Sequence, residues 1–586
     1  MRTLLIITTF FSSLCFAESF LTILHTNDSH GNYYGNPNKI LNRTEYGFVE
    51  RYKLIQKIRS VSKHTLLLSG GDINTGTPES DQFEAEPDFK AMEIMGYDAM
   101  VLGNHEFDNP PAILSKQKSW VNFPFLAANI RPISGQAPFT PYLVKEFEGK
   151  RILIVGLLTD EISKTSYKGF PTKNPIYSME NEVQWAEQEL PRIIQKEKPD
   201  FTILLTHIGF YENGKTVSGE LKGDVHLAER LIQRNIDVDL IIGGHSQKVL
   251  LKPYWHRNRI PIVQAGEFGK FLGQIEVGIV NNQLKVLNRP EDYKIYSINY
   301  KLKEDDLALK TDSRLANQII PHTANINQGN KEDLSKLGQL QNLINSFYQK
   351  YPGTLSEIVG SVDEFMPGRP SGKGQETSLG RLIAHSFCHY AKADGCWMGN
   401  GGIRQDLNQG QVIFREIATI LPASFKNTLC TSWMRGDQLR KYLTLIFKGY
   451  HRPGKSPLHF YGIKFNQDKG EIKNIFIKKL TPSTQVEPIS ENPTLYFFQY
   501  DKMKRAPEKA ERRWIDLDSP RGEAEYFKIS STCRNMKIKE IEKSSSYKIL
   551  DNEYPDYKAL EDFFIRESLK KGVPIKVKDY IYQSVN

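Results

Sequence analysis

The chain has 586 residues, which at about 150 residues per domain allows roughly two to four domains, each large enough to bury a core. Hydrophobic residues make up 39%, charged residues 25% and aromatic residues 11%, with 42 Gly and 30 Pro, values that exclude a disordered, collagenous or coiled-coil chain. Lys and Arg number 77 against 68 Asp and Glu, a net charge of +9, which suits an anionic substrate and falls short of the concentrated positive charge of a nucleic-acid binder.

In chain order, the first element is MRTLLIITTFFSSLCFA, with one cation at Arg2, an apolar run over residues 4–16 and small Ala17 at its end. This pattern reads as a secretory signal over residues 1–17 and predicts a secreted, periplasmic location. The run is short for a bilayer span and no other run reaches about eighteen apolar residues, so no integral membrane segment is expected. Cys15 lacks the small residues that precede a lipidated cysteine and is read as part of the signal.

Between residues 18 and 322, short apolar runs alternate with helical patterns, at residues 20–24, 65–68, 99–102, 152–158, 201–205, 240–242 and 260–263. Such alternation predicts a layered α/β domain with buried strands. A polar amphipathic stretch follows, with Leu334, Leu337, Leu340, Leu343 and Ile344 at helical spacing, and predicts a linker helix within 323–354. From residue 355 the pattern becomes mixed α+β, closing with a helix near 556–571 and a strand-like IKVKDYIY. Cys388, Cys396, Cys430 and Cys533 all lie there. In an oxidising compartment they allow one or two disulfides, and small buried hydrophobes are the alternative. His385 and His389 stand four apart beside Cys388 and Cys396, a spacing open to zinc, although a disulfide or buried thiols are simpler.

Five of the strand runs lead directly into polar clusters: FLTILHTNDSH, TLLLSGGD, AMVLGNHEFD, TILLTHIG and DLIIGGHSQ. Their ends carry Asp28 and His30, Asp72, Asn104 and His105, His207, and His245 with Gln247. In open α/β sheets ligands bind at the carboxyl ends of strands, so residues far apart in sequence converge on one edge. Carboxylates, imidazoles and amide oxygens without thiolate fit Zn, Mn or another first-row divalent ion, and a carboxylate such as Asp72 can bridge two. Two ions about 3.5–4 Å apart polarise a phosphoryl oxygen and acidify a bound water, which is a hydrolase design. Singly, each residue has an ordinary explanation: Asp28 as a helix cap, Asn104 as a turn residue, a histidine after a strand as a satisfied core residue. Five coincident strand ends outweigh those explanations.

The series D-x-H, GGD, GNHEFD, TH-x-G and GGHSQ resembles the calcineurin-like metallophosphoesterases. Its GNHEFD and GGHSQ variants resemble the 5′-nucleotidase branch, which includes bacterial UDP-sugar hydrolases. The resemblance spans nearly all of the chain beyond residue 17. It implies a four-layer α/β/β/α catalytic sandwich over 18–322, a linker helix over 323–354 and an α+β substrate-binding domain over 355–586. It also implies two divalent ions (Zn, Mn or similar), one held by Asp28, His30, Asp72 and Gln247, the other by Asp72, Asn104, His207 and His245. His105 and Asp108 correspond to the family's catalytic dyad. The dyad makes physical sense, since an imidazole beside a metal ligand can reach a phosphoryl oxygen or leaving group, and a carboxylate three residues on can fix its tautomer.

In the second domain, TSLGRL (residues 377–382) and GNGGIRQDL (residues 399–407) resemble the family's signature. Arg404 is the leading substrate contact, because a guanidinium grips phosphate through two parallel hydrogen bonds. The family's two arginines four apart correspond to Arg369 and Lys373, the second keeping its charge and losing the planar fork. The rings that stack on the base correspond to Phe425 in LPASFKN and to Phe498 or Tyr500 in TLYFFQY. The family's GGDGY-type loop is replaced by DKMKRAPEKAERRW, which leaves the choice of nucleoside open. The expectation is a secreted dinuclear-metal phosphohydrolase, 5′-nucleotidase-like, splitting nucleotide phosphate esters or anhydrides by metal-hydroxide attack. A 2′,3′-cyclic phosphodiesterase or UDP-sugar hydrolase shares the same metal edge. A non-catalytic secreted nucleotide-binding protein would be betrayed by a missing ligand, and every ligand type is present.

Overall fold

Successive side chains of a strand point to opposite faces, and in the N-terminal half both faces are apolar. Leu66 and Leu68 enter one core while Leu67, between them, enters another; Ile203 and Leu205 likewise flank Leu204. A strand of that composition has to be covered on both sides. The computed structural model of the protein describes residues 18–580 except 39–42, 136–137, 165–169, 171–174, 216–219, 288, 290–291, 299–306, 308–319, 323–330, 352–354, 369–375, 423–426, 451–457, 469–470, 481–511, 521–522, 524–525, 533–535 and 537–549.

Two sheets share the central core. The first runs, in spatial order, Ile320–His322, Tyr293–Ile298, Phe271–Val280, Ser19–Thr26, Thr65–Ser69, Ala99–Val101 and Phe125–Leu126, with Gln283–Val286 beside Phe271–Val280. The second runs Tyr254–His256, Ile260–Val263, Leu240–Ile242, Phe201–His207, Lys150–Leu158 and Tyr142–Phe147. Ile23, Leu66, Leu68 and Val101 of the first pack on Ile152, Ile154, Ile203 and Ile242 of the second. Outside the first sheet lie helices Phe48–Arg59, Glu86–Met95 and Pro111–Ser119; outside the second lie Glu182–Glu197 and Gly223–Gln233. The order is α/β/β/α, and all seven strands expected from the sequence form. Each fully buried Leu or Ile in these layers contributes about 1.5–3 kcal/mol.

The expected linker helix spans Lys331–Lys350. Leu340, Ile344 and Phe347 are buried, and Leu337 and Leu343 pack partly against the same core as helix Glu86–Met95. Leu334, which shares their spacing, is exposed. The helix is therefore docked on the N-terminal half along one stripe.

The C-terminal half is built on a five-stranded sheet in the order Leu458–Tyr461, Gly395–Gly399, Tyr526–Thr532, Thr428–Arg435, Leu550–Pro555. Helices Ser378–Ala391 and Asp556–Phe564 cover one face. Helix Gly436–Tyr450 and the three-stranded sheet of Ile463–Asp468, Glu471–Leu480 and Arg512–Asp516 cover the other. Over its described residues, 575–580, the terminal IKVKDYIY is not the strand that its alternation predicts: Ile575 makes a single bridge to Val362 and Val577–Tyr580 turns as a 3₁₀ helix. Cys388 and Cys396 form a disulfide with Cα atoms 5.6 Å apart, tying helix Ser378–Ala391 to strand Gly395–Gly399. His385 stacks on Tyr461 at 3.8 Å and His389 packs edge-on against Phe563, so this cluster is a cross-link with aromatic packing and not a zinc site. Cys430 is disulfide-bonded too, and Cys533 lies outside the described residues.

Candidate metal centre

Strands Ser19–Thr26, Thr65–Ser69 and Ala99–Val101 are parallel neighbours, with Thr26 opposite Ser69 and Ser69 opposite Met100. In the second sheet, Phe201–His207 and Leu240–Ile242 are parallel neighbours, with Leu205 opposite Ile242. Five carboxyl ends therefore open onto one edge between the sheets. The chain turns sharply there: Asp28, His30, Asp72, His245 and Gln247 have φ of 52°, 46°, 55°, 76° and 60°. Left-handed backbone at a non-glycine residue costs on the order of 1 kcal/mol, and backbone hydrogen bonds hold it. The Asp28 N–H donates to Gly71 O (2.8 Å), the His30 N–H to Asp72 O (3.0 Å) and the Phe268 N–H to Asp28 O (2.7 Å). Glycine is required where the loops nearly touch. A Cβ on Gly103 would lie 2.1 Å from Asp72 Oδ1, and one on Gly244 would lie 2.4 Å from Gly70 O.

These turns bring the seven candidate ligands together. Asp72 Oδ2 lies 3.1 Å from His207 Nε2 and 3.7 Å from His30 Nε2, which is 3.8 Å from Asp28 Oδ1. Asn104 Oδ1 is 2.9 Å from His245 Nδ1 and 3.3 Å from His207 Nε2, and Gln247 Nε2 is 2.8 Å from His30 Nε2. Among the described residues, two groups of three bring a ligand atom each within 4.8 Å of one another: His30, Asp72 and His105, and Asp72, His207 and His245. Asp72 belongs to both.

The donor set fits divalent ions on three observations. His30 Nδ1 pairs with Asn74 O at 3.0 Å and His207 Nδ1 with Gly70 O at 2.6 Å; a proton placed there is the tautomer in which Nε2 can ligate an ion. Asp28 is fully buried and its Oδ1 has no hydrogen-bond partner, a costly arrangement for a carboxylate that lacks a cation. Burial, with Asp72 adding repulsion against the pull of His207, pushes the Asp28 carboxyl up to about 7. Burial also works against ionised Asp72, yet His207 and His105 hold it well below the usual carboxylate range. His30 is driven well below the usual histidine value by burial and Arg404, so it is a neutral imidazole.

His105 opens the 3₁₀ turn Asn104–Phe107 as its second residue. Its Nδ1 lies 2.7 Å from Asp108 Oδ2, which also accepts from Thr75 Oγ1 at 2.7 Å, and its backbone N–H donates to Asp72 Oδ1 at 2.9 Å. Burial alone would lower the His105 pKa, and Asp108 and Asp72 raise it above the ordinary value. From the C-terminal half comes Arg404, 9% exposed, with Nη2 3.2 Å from His30 Nε2. The other five candidate contacts, Arg369, Lys373, Phe425, Phe498 and Tyr500, lie outside the described residues.

Two residues that sequence reasoning passed over are prominent here. Buried Glu106 accepts the backbone N–H groups of Asp72 (3.0 Å), Ile73 (2.8 Å), Asn74 (3.1 Å) and Gly103 (2.6 Å), fixing the loop that carries Asp72. Its signal was the acid inside GNHEFD, third residue of a short helix where a carboxylate can reach back to orphan N–H groups. Glu161 Oε2 lies 3.4 Å from His245 Nε2, and no spacing in the sequence links them.

The calcineurin-like phosphoesterase family matches residues 21–248, and the 5′-nucleotidase C-terminal domain family matches residues 353–495. The chain is 35% identical over 481 residues to a 5′-nucleotidase of Vibrio vulnificus, covering 78% of this chain and 81% of that protein. It is 35% identical over 452 residues to protein UshA of Yersinia enterocolitica, covering 73% and 76%. Its fold is similar to the crystal structure of a 5′-nucleotidase precursor from Thermus thermophilus, with a TM-score of 0.66 at 20% identity over 94% of this chain and 96% of that one.

Proposed function

We propose that this chain, which belongs to the 5′-nucleotidase family of metal-dependent phosphoesterases, hydrolyses phosphate esters or anhydrides of nucleotides at a dinuclear centre on the carboxyl edge of its two N-terminal sheets. The observation that carries the reading is Asp72, common to both groups of converging ligand atoms. Asp28, His30, Asp72 and Gln247 would hold one ion; Asp72, Asn104, His207 and His245 would hold the other. Divalent ions bound there supply Lewis acidity toward the phosphoryl oxygens and acidify a water.

The chain's own residues supply the rest. With its Nδ1 held by Asp108, His105 keeps Nε2 for the phosphoryl group, where an imidazolium stabilises developing charge or protonates the leaving oxygen. Arg404 offers a forked donor from the C-terminal half, suited to a phosphate oxygen. The leader-like residues 1–17 support secretion to the periplasm.

The test is phosphate release by the purified protein with Mn, Zn, Co or Mg across AMP, ATP, UDP-glucose, 2′,3′-cyclic AMP and an aryl phosphate. Selective turnover of the 5′-nucleotides is expected. Turnover of the aryl phosphate alone would leave the metal edge standing and refute nucleotide specificity. Asp72→Asn should lower turnover at least about a thousandfold, equivalent to about 4 kcal/mol of transition-state stabilisation. Wild-type turnover with two bound ions in that variant would refute the bridging role.

A further inference from the structure

His207 and His245 stand side by side, ring centroids 5.1 Å apart, yet they present opposite nitrogens to the centre. His207 turns Nδ1 to Gly70 O and Nε2 toward Asp72, whereas His245 turns Nδ1 toward Asn104 Oδ1. For His245 to offer a lone pair at Nδ1, its proton has to reside on Nε2, and a proton stays there when an acceptor faces it. Glu161 faces it. Strand Lys150–Leu158 runs parallel to Phe201–His207 with Leu158 opposite His207, and the Thr159 N–H donates to His207 O at 3.1 Å. Glu161, two residues further, opens the short helix Glu161–Lys164 beside the His245 ring. One carboxylate oxygen is 3.4 Å from His245 Nε2, and the other is 2.7 Å from Lys222 Nζ.

Lys222 is only 3% exposed. A buried ammonium requires a counter-charge, so the lysine pins Glu161 with its second oxygen aimed at the imidazole; Asp160 Oδ1 stands 3.8 Å from the same ammonium. The Lys222 backbone is itself fixed, its N–H donating to Gly214 O at 3.0 Å. His245 needs such support, because its left-handed backbone (φ 76°) and partly exposed ring leave it less confined than fully buried His207.

We propose that Glu161, anchored by Lys222, is a positioning residue that holds the His245 proton on Nε2 and so commits Nδ1 to the metal centre; the inference rests on His245 being a ligand, as proposed above. The test is titration of the demetallated full-length protein with Mn²⁺ alone, followed calorimetrically, with bound ions counted after dialysis. Glu161→Ala should weaken one of the two ions about 10–100-fold, the range expected when an outer hydrogen-bond partner of a metal-binding histidine is removed. Glu161→Gln, whose amide oxygen still accepts from Nε2–H, should stay within severalfold of wild type. Both substitutions remove the anionic partner of Lys222, so thermal unfolding in chelator should fall alike for Glu161→Ala and Glu161→Gln, and an ion weakened only in Glu161→Ala separates lost positioning from lost folding. If His245→Ala loses one ion while Glu161→Ala binds as wild type, the positioning role is overturned and the metal reading stands. If His245→Ala keeps both ions at wild-type affinity, the ligand assignment falls and this inference falls with it.

Discussion

At the carboxyl edge of the N-terminal sheets, polar side chains are held largely by backbone; at the seam with the C-terminal half, they are held by other side chains. Glu106 gathers four backbone N–H groups, and His30 and His207 each pair one ring nitrogen with a carbonyl. Across the seam, Arg415 places Nε 2.8 Å and Nη2 2.6 Å from Glu79 Oε1, and both residues are buried. One carbonyl, Gly35 O, joins them at 3.0 Å from Nη2. These backbone partners lie in the loops directly after the strands, and backbone hydrogen bonds such as Asp28 N–H to Gly71 O hold those loops, so the edge is formed before any ligand arrives. Long side chains have to be ordered against their own entropy, so the seam depends on a few charged contacts.

If the edge is preformed, removing a reactive group from it should change rate without changing what the edge binds. His105→Ala is expected to lower kcat about 10²–10⁴-fold while the number of Mn²⁺ ions bound stays at the wild-type value. Single-turnover rates and ion counting on the same preparation check this. Unchanged rate together with unchanged metal content would exclude His105 from the chemistry.

The seam should respond in the opposite sense, in stability more than in metal binding. Arg415→Ala leaves Glu79 buried without its cation, and breaking a buried pair in this way costs about 3–5 kcal/mol. The double variant Arg415→Met, Glu79→Gln removes both charges and should lose much less. Denaturant unfolding with Mn²⁺ affinity measured in parallel decides it: a double variant as unstable as the single one would show that packing, not the uncompensated carboxylate, sets the cost.

The same contrast governs how much could be read from the sequence. The edge was legible because each candidate ligand closely follows an apolar strand, so strand periodicity and polar punctuation fall in a few adjacent residues: GGD follows Thr65–Ser69 and GNHEFD follows Ala99–Val101. Strand Phe271–Val280 escaped because Gln274 and Glu276 interrupt its apolar run. Glu276 is satisfied by Thr22 Oγ1 at 2.8 Å, 254 residues away. The terminal IKVKDYIY failed in the other direction, alternating like a strand but, over its described residues, meeting a single bridging partner at Val362. Glu161 and Lys222 were invisible for the reason Glu276 was, since their meaning lies in partners that only the tertiary fold supplies. The left-handed turns at Asp28, His30, Asp72, His245 and Gln247 carry no local glycine signal at those positions.

The smallest expected effect concerns a buried acid on the C-terminal side that lacks the backbone cradle of Glu106. Burial pushes Glu376 up to about 7, and its support is one backbone N–H, from Phe460 at 3.1 Å, with the Arg381 guanidinium at 3.4 Å. A carboxyl whose folded pKa lies above its unfolded value of about 4.3 stabilises the fold fully below the unfolded value. That contribution is lost as pH rises through about 7. Glu376→Gln cannot titrate, so the stability of wild type relative to the variant should fall by on the order of 1–3 kcal/mol between about pH 4.5 and 7 and level off above. Thermal unfolding of both proteins at half-unit steps across that window measures the difference directly. A difference that grows with pH would mean that the Arg381 contact outweighs burial, making this carboxylate, like Asp72, a group held in its charged form.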